Sequence, residues 1–222
     1  MAKVNAEARK KYFEHIAPFK QKINELNEKE SRLEAILRNK DAGEPYKRIS
    51  VAVDNLTVVS HHLVINALSV SLLGVKNENA LNYARKACYR AIIQLEKVFS
   101  DFVDVPFSDY EEKLLATSSF PEIKRYELIR KCGLAINLVK DSLGENSRWK
   151  WSVVELEARL AAVAKNTLNL KTLLHGMDPR REGYRERIDF FNLVRRLLQS
   201  AADSYRLKYE VSTKRMDDFR VA

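Results

Sequence analysis

Apolar residues recur along most of the chain at alternating three- and four-residue intervals, the spacing that lays one stripe along an α-helix. The first segment keeps this rhythm through Tyr12, Ile16, Phe19, Ile23, Leu26, Leu33 and Leu37, interrupted by Glu30. Pro18 lies inside the pattern without breaking its phase, which predicts one helix kinked at the proline. Gly43 supplies a stop and Pro45 a first-turn residue, so a second helix should follow at once and return antiparallel to the first.

Residues 49–75 read ISVAVDNLTVVSHHLVINALSVSLLGV, with Asp54 as the one charged side chain. A helix that is apolar nearly all the way round has to be enclosed by its neighbours. The expectation is a buried central helix over about 46–73 with the rest of the protein wrapped round it. The stretch is also long enough to span a bilayer. Asn55, His61, His62 and Asn66, together with the missing aromatic belt, favour a core helix and no membrane partner.

Beyond Gly74, Asn77 is placed to cap a third helix whose seam is Leu81, Ala84, Cys88, Ile92, Leu95, Phe99 and Phe102. Ser108 with Glu111, and Ser119 with Glu122, have the spacing of capping boxes opening a short fourth helix and a longer fifth one. The fifth carries Ile123, Tyr126, Ile129, Cys132, Ile136, Val139 and Leu143 on one face and stops at Gly144. Strict heptads from Trp149 through Val153, Leu156, Leu160, Val163, Thr167 and Leu170 to Leu174 predict a sixth helix ending at His175 and Gly176. Asp178 and Pro179 then cap and open a seventh, which buries Tyr184, Phe191, Val194, Leu198, Ala201 and Tyr205 on one side, widened by Phe190, Leu193 and Leu197.

Composition agrees with this pattern. Among 222 residues only six are glycine and five proline, too few for the turns of a β fold, while 45% are hydrophobic and 31% charged. The fold class is all-α: a single domain over 1–222, a mostly antiparallel bundle of six long helices and one short one. A hinge or sub-domain boundary, if present, belongs at 104–121, where the pattern shortens. No internal repeat of fixed period occurs.

Charge adds a functional direction. The net charge is +9, and the excess sits in residues 1–48 and 179–222. On the seventh helix Arg181, Arg185, Arg196 and Arg206 share one face, a candidate surface for a partner protein or for the phosphates of RNA or DNA. Asp189, Asp203 and Glu210 fall on the same arc and weaken its field. Cys88 and Cys132 sit within apolar patterns and read as core residues rather than a disulfide framework. The N-terminal residues lack a signal-peptide core, so a cytoplasmic location is expected.

Asn55, His62, Asn66 and Ser69 form one polar stripe on the central helix. Such groups need partners, either a satisfied network that sets helix register or a ligand pocket in which His62 titrates. His61 and His62 diverge by about 100° on a helix and do not chelate one ion together. No phosphate loop, nucleophile elbow or metal-ligand pair is present, so neither metal nor cofactor is implied, and no residue is assigned a catalytic role. Arg9 and His15 stand at an R-x5-H spacing that resembles, over one heptapeptide, the ribonuclease motif of helical HEPN-type proteins. In that family the motif lies on a core helix late in the domain, whereas here it opens the chain beside Pro18.

The function expected from these features is a non-enzymatic helical scaffold or adaptor, binding a protein partner or a second copy of itself through basic terminal helices. Nucleic-acid binding is the first alternative. An enzyme or ligand receptor built on the His62 stripe is the second.

Overall fold

A computed structural model describes residues 5–37, 44–102, 106–168 and 178–211. These residues form seven helices and no strand: α1 (Ala6–Leu37), α2 (Glu44–Leu73), α3 (Glu78–Phe99), α4 (Phe107–Ala116), α5 (Glu122–Leu143), α6 (Lys150–Asn166) and α7 (Tyr184–Val211). The chain is an all-α bundle. Helix α1 runs unbroken through Pro18. Gly74 and Gly144 end α2 and α5 with φ of 69° and 82°, the left-handed conformation that glycine adopts at low cost. The Asn77 side chain caps α3 by accepting from Ala80 N at 2.9 Å.

Cross-helix contacts give the order of packing. Lys29 meets Asp54 and Phe19 meets His61, so α1 and α2 are antiparallel. Arg48 reaches Gln94 and His62 stacks on Tyr83, so α2 and α3 are antiparallel as well. Lys140 pairs with Glu157 across the α5–α6 hairpin. Helix α6 instead runs parallel to α3: Ser152 accepts from Arg85 at one end, and Arg159 clasps Glu96 at the other with a 2.7 Å bond from Nε. Helix α7 lies against α6 and crosses α5, where Phe190 stacks on Tyr126 at 3.9 Å between ring centroids. Glu122 accepts from both Tyr126 and Arg187 at that crossing.

The helix at the centre is α3, not α2. Helix α3 packs against α2, α4, α5 and α6, and Leu81, Ala84, Ala87, Ala91 and Leu95 on it are completely buried. Alanine at positions 80, 84, 87 and 91 lets neighbouring helices approach closely, and the long stems of Arg85, Arg90 and Glu96 carry their charged ends to partners on neighbouring helices. Of the most apolar 18-residue window of α2, only 28% is buried. Its inner side holds Val51, Ala52, Val58, Val59 and Ile65, while Val53, Ser60, Val64, Ala67 and Val70 face outward. The expectation of an enclosed α2 fails because α1 and α3 cover one side and α5 touches only part of the other. Helix α2 is also long and apolar enough to cross a membrane.

Other sequence expectations change at the helix ends. Helix α4 starts at Phe107 after Pro106, and α5 after Pro121, neither with a side-chain cap. Ser119 bonds the Tyr46 hydroxyl instead of capping α5. Helix α6 stops at Asn166, where the Asn166 amide donates to Ser100 O and Phe102 O and Thr167 turns its hydroxyl back to Ala164 O. The continued seam at Leu170 and Leu174, the stop at Gly176, the stop at Gly43 and residues 104 and 105 of the expected boundary lie outside the described residues. Asp178 caps a turn, accepting from Arg180 N, and α7 begins only at Tyr184 after Gly183. On α7 Phe190, expected at the margin of the apolar side, is fully buried, while Phe191, expected at its centre, is 38% exposed.

Substituting Ala84 by Leu should destabilise the protein by about 1–3 kcal/mol, because extra methylenes have no room at a closed helix crossing. Chemical denaturation monitored by circular dichroism measures this, and an unchanged midpoint would place the centre of packing elsewhere.

Candidate functional site

Three members of the polar stripe on α2 are occupied with holding helices. Asn55 donates to Glu30 Oε1 at 2.8 Å and to Val51 O, and accepts from Arg90 Nε at 2.8 Å. Arg90 also pairs with Glu30 at 3.1 Å and donates to Asn27 Oδ1 at 3.1 Å. The Glu30 that interrupts the α1 seam is thus answered by a polar residue on each of the next two helices. Asn66 accepts from Asn77 N, Ser69 donates to Val75 O, and Asn77 donates to the Tyr12 hydroxyl. Together these bonds tie the α2–α3 turn to α1. Buried amides and carboxylates satisfied in this way impose one register on the three helices.

His62 is the exception. Its ring stacks on Tyr83 at 5.5 Å, whereas His61 turns toward Phe19. Its Nδ1 is buried and has no hydrogen-bond partner among the described residues. Burial, reinforced by Arg90 and then by His61, lowers its pKa from 6.5 to about 4. The ring borders an open cleft of about 480 Å³ that also takes in Lys20, Asn24, Asn27, Asn77, Asn79 and Tyr83. None of these is a carboxylate. At neutral pH His62 is an uncharged hydrogen-bonding group with no acid beside it to draw a proton onto the ring, an arrangement poorly suited to general acid catalysis.

The two cysteines are equally quiet. Cys88 and Cys132 are buried and free, and desolvation raises both thiols to about 12. Neither is a thiolate at neutral pH, so neither has the nucleophile's charge state.

The four arginines expected on one helical face are exposed, but Arg181 stands in the turn before α7 rather than on it. Of the acids near them, Asp189 approaches Arg130 of α5 at 3.9 Å, and Asp203 pairs with Arg206 at 3.4 Å. Arg130, Arg195 and Arg196 share a shallow open depression with Asp189 and Asn192. Sequence reading missed Arg130, which stands on another helix, and left Arg195 off the arginine face.

The outward side of α2 forms the second feature the sequence reading missed. Together with α5 it frames an apolar groove of about 380 Å³, with Val53, Leu56, Ser60 and Leu63 on one wall and Leu134 and Leu138 on the other. Val59, Leu128 and Ala135 lie at its base. Leu134 is 60% exposed and Leu138 is 45% exposed. One signal was available: Val53, Ser60 and Ala67 repeat at seven-residue intervals on the side of α2 opposite the packed Val51, Val58 and Ile65.

The chain belongs to the TP0443 family, whose sequence profile matches residues 8–222. No curated protein and no solved structure matches it. The family match therefore brings no reaction or ligand with it, and function has to be argued from surfaces.

The depressed pKa of His62 carries a stability consequence. Above about pH 6.5 the imidazole is neutral in both folded and unfolded chains; below it the unfolded chain takes up the proton first, and stability falls until the folded-state value near 4 is passed. The wild-type melting temperature should therefore drop between about pH 7.5 and about pH 5, and His62→Gln should drop by less. Equal drops in scanning calorimetry would mean that His62 is solvated rather than held neutral.

Proposed function

We propose that this protein is a non-enzymatic helical adaptor, which holds a protein partner against the flank formed by α2 and α5. The observation that carries the reading is the uncovered side of α2: the most apolar helix of the chain leaves a continuous row of aliphatic and small side chains in solvent, extended by Leu134 and Leu138 of α5. Contiguous exposed apolar surface of this kind, rimmed by polar residues, marks an interaction site in a folded protein. The state of His62 and of the two buried thiols is consistent with a binding role rather than catalysis. Support for a bundle in water, rather than a bilayer span, comes from the bonds of Asn55, Asn66 and Ser69 and the ion pair of Asp54 with Lys29.

A second reading has its own observation. The exposed arginines of α7 and the Arg130–Arg195–Arg196 depression form a basic surface, and a nucleic acid held there would bind through phosphates. Asp189 within that depression and the Asp203 pair reduce its attraction.

The two readings separate by salt and by mutation. An apolar protein complex should persist from about 50 to about 200 mM salt, whereas phosphate binding should fall by orders of magnitude. Leu134→Glu with Leu138→Glu should abolish the protein complex while changing stability by no more than about 0.5 kcal/mol each, since both side chains are exposed. Replacing Arg185, Arg196 and Arg206 by Glu should leave that complex intact. Affinity purification of the wild type and the two variants at both salt concentrations measures this, and RNA or DNA retained at the higher salt and lost only in the arginine variant would reverse the order of the readings.

A further inference from the structure

The geometry points to an amphipathic α-helix with an acidic edge as the occupant of the α2–α5 groove, an inference that rests on the docking-face reading above. The groove is concave, so it calls for a convex occupant. A second copy presenting the same concave surface would face hollow against hollow, whereas a two-fold interface has to be self-complementary. A helix fits the dimensions. From Val53 to Leu63 the α2 wall rises about 15 Å and from Lys124 to Leu138 the α5 wall rises about 21 Å, the length of three to four helical turns. Both walls are themselves helices whose side chains stand at three- and four-residue intervals, the ridges between which another helix seats. An apolar helical face laid into such a groove is an established mode of recognition.

Charge sets the edge of the occupant. Of the groove-lining side chains only Lys124, Glu127 and Lys131 are charged, and all three are on α5. Lys124 and Glu127 close on each other at 3.0 Å. Lys131 forms no ion pair among the described residues, and it stands one turn from Leu134 on the same wall. The α2 wall carries no charge from Asn55 to Val75. A partner helix therefore meets an uncharged wall on one side and an unneutralised ammonium on the other, which favours Asp or Glu on the flank facing α5 and disfavours Lys or Arg there.

A phage-displayed library of helix-favouring peptides of about 16 residues, panned on the full chain, tests this. The expected clones carry apolar residues at i, i+3 or i+4, and i+7, with Asp or Glu beside them. For a synthetic peptide of the leading clone, fluorescence anisotropy should show affinity falling about tenfold or more with Leu134→Glu plus Leu138→Glu. Leu138→Ser provides the milder variant if that pair disturbs the fold by circular dichroism. Lys131→Glu should weaken the peptide a few-fold, and exchanging the acids of the peptide for Lys should restore binding to that variant.

Basic-edged or proline-rich extended clones that still depend on Leu134 and Leu138 would overturn the acidic helix and leave the docking face standing. Clones indifferent to those two leucines, or none above background, would overturn the inference outright. Sedimentation velocity showing a dimer that dissolves on Leu134→Glu would make a second copy the occupant. Flotation with phosphatidylcholine or phosphatidylglycerol vesicles, lost in the same variant, would make it a lipid surface and remove the adaptor reading as well.

Discussion

The guanidinium of Arg90 is the point on which the first half of the bundle depends. Glu30 on α1 and Asn55 on α2 are buried polar groups, each costly to leave unpaired, and Arg90 on α3 satisfies both at once. A slip of one turn in any of the three helices would strand a carboxylate or an amide in an apolar setting. Apolar seams alone tolerate such slips, since one leucine can replace another across a heptad. The cluster thus selects one register, in which the alanines of α3 are buried.

Because α3 is the helix that packs against α2, α4, α5 and α6 together, α2 is displaced to the flank of the bundle. This resolves an apparent conflict in its character. Helix α2 has the most apolar composition in the chain, yet much of it meets solvent. One apolar side is used for folding, against α1 and α3, and the other borders α5 only along a groove. Burying the second side would need a further helix against α2 and α5, and α6 packs against α3 and α5 instead. The free flank is therefore a product of topology, with α6 committed to α3 through the Arg159–Glu96 pair.

The remaining chemistry-bearing groups follow from the same packing. His62 lies on the edge of the register-setting network, held neutral by burial with Arg90 adding to it, and near enough to the surface to border a cleft. Cys88 and Cys132 lie in the α3–α5 core, where desolvation keeps them as thiols. Burial keeps His62 neutral and both cysteines protonated, and on the surface the α2–α5 groove presents apolar area.

Sequence periodicity by itself determined the all-α class, the helix stops at Gly74 and Gly144, the Asn77 cap and the apolar faces of α3, α5 and α6, because each depends on residues within a few turns of one another. It also showed Glu30, Asn55, His62, Asn66 and Ser69 as anomalies in apolar surroundings. It could not show that Glu30 and Asn55 answer one another through Arg90, since partners on separate helices leave no mark in local spacing. The enclosed α2, the helical placement of Arg181 and an α6 running past Asn166 were expected on the same local grounds; the packing on α3 overrode the first, while Arg181 lies in a turn and α6 stops at Asn166. Apolar spacing states which side chains avoid water, and only the packing of α5 and α6 on α3 decided which of them a neighbour was left to cover.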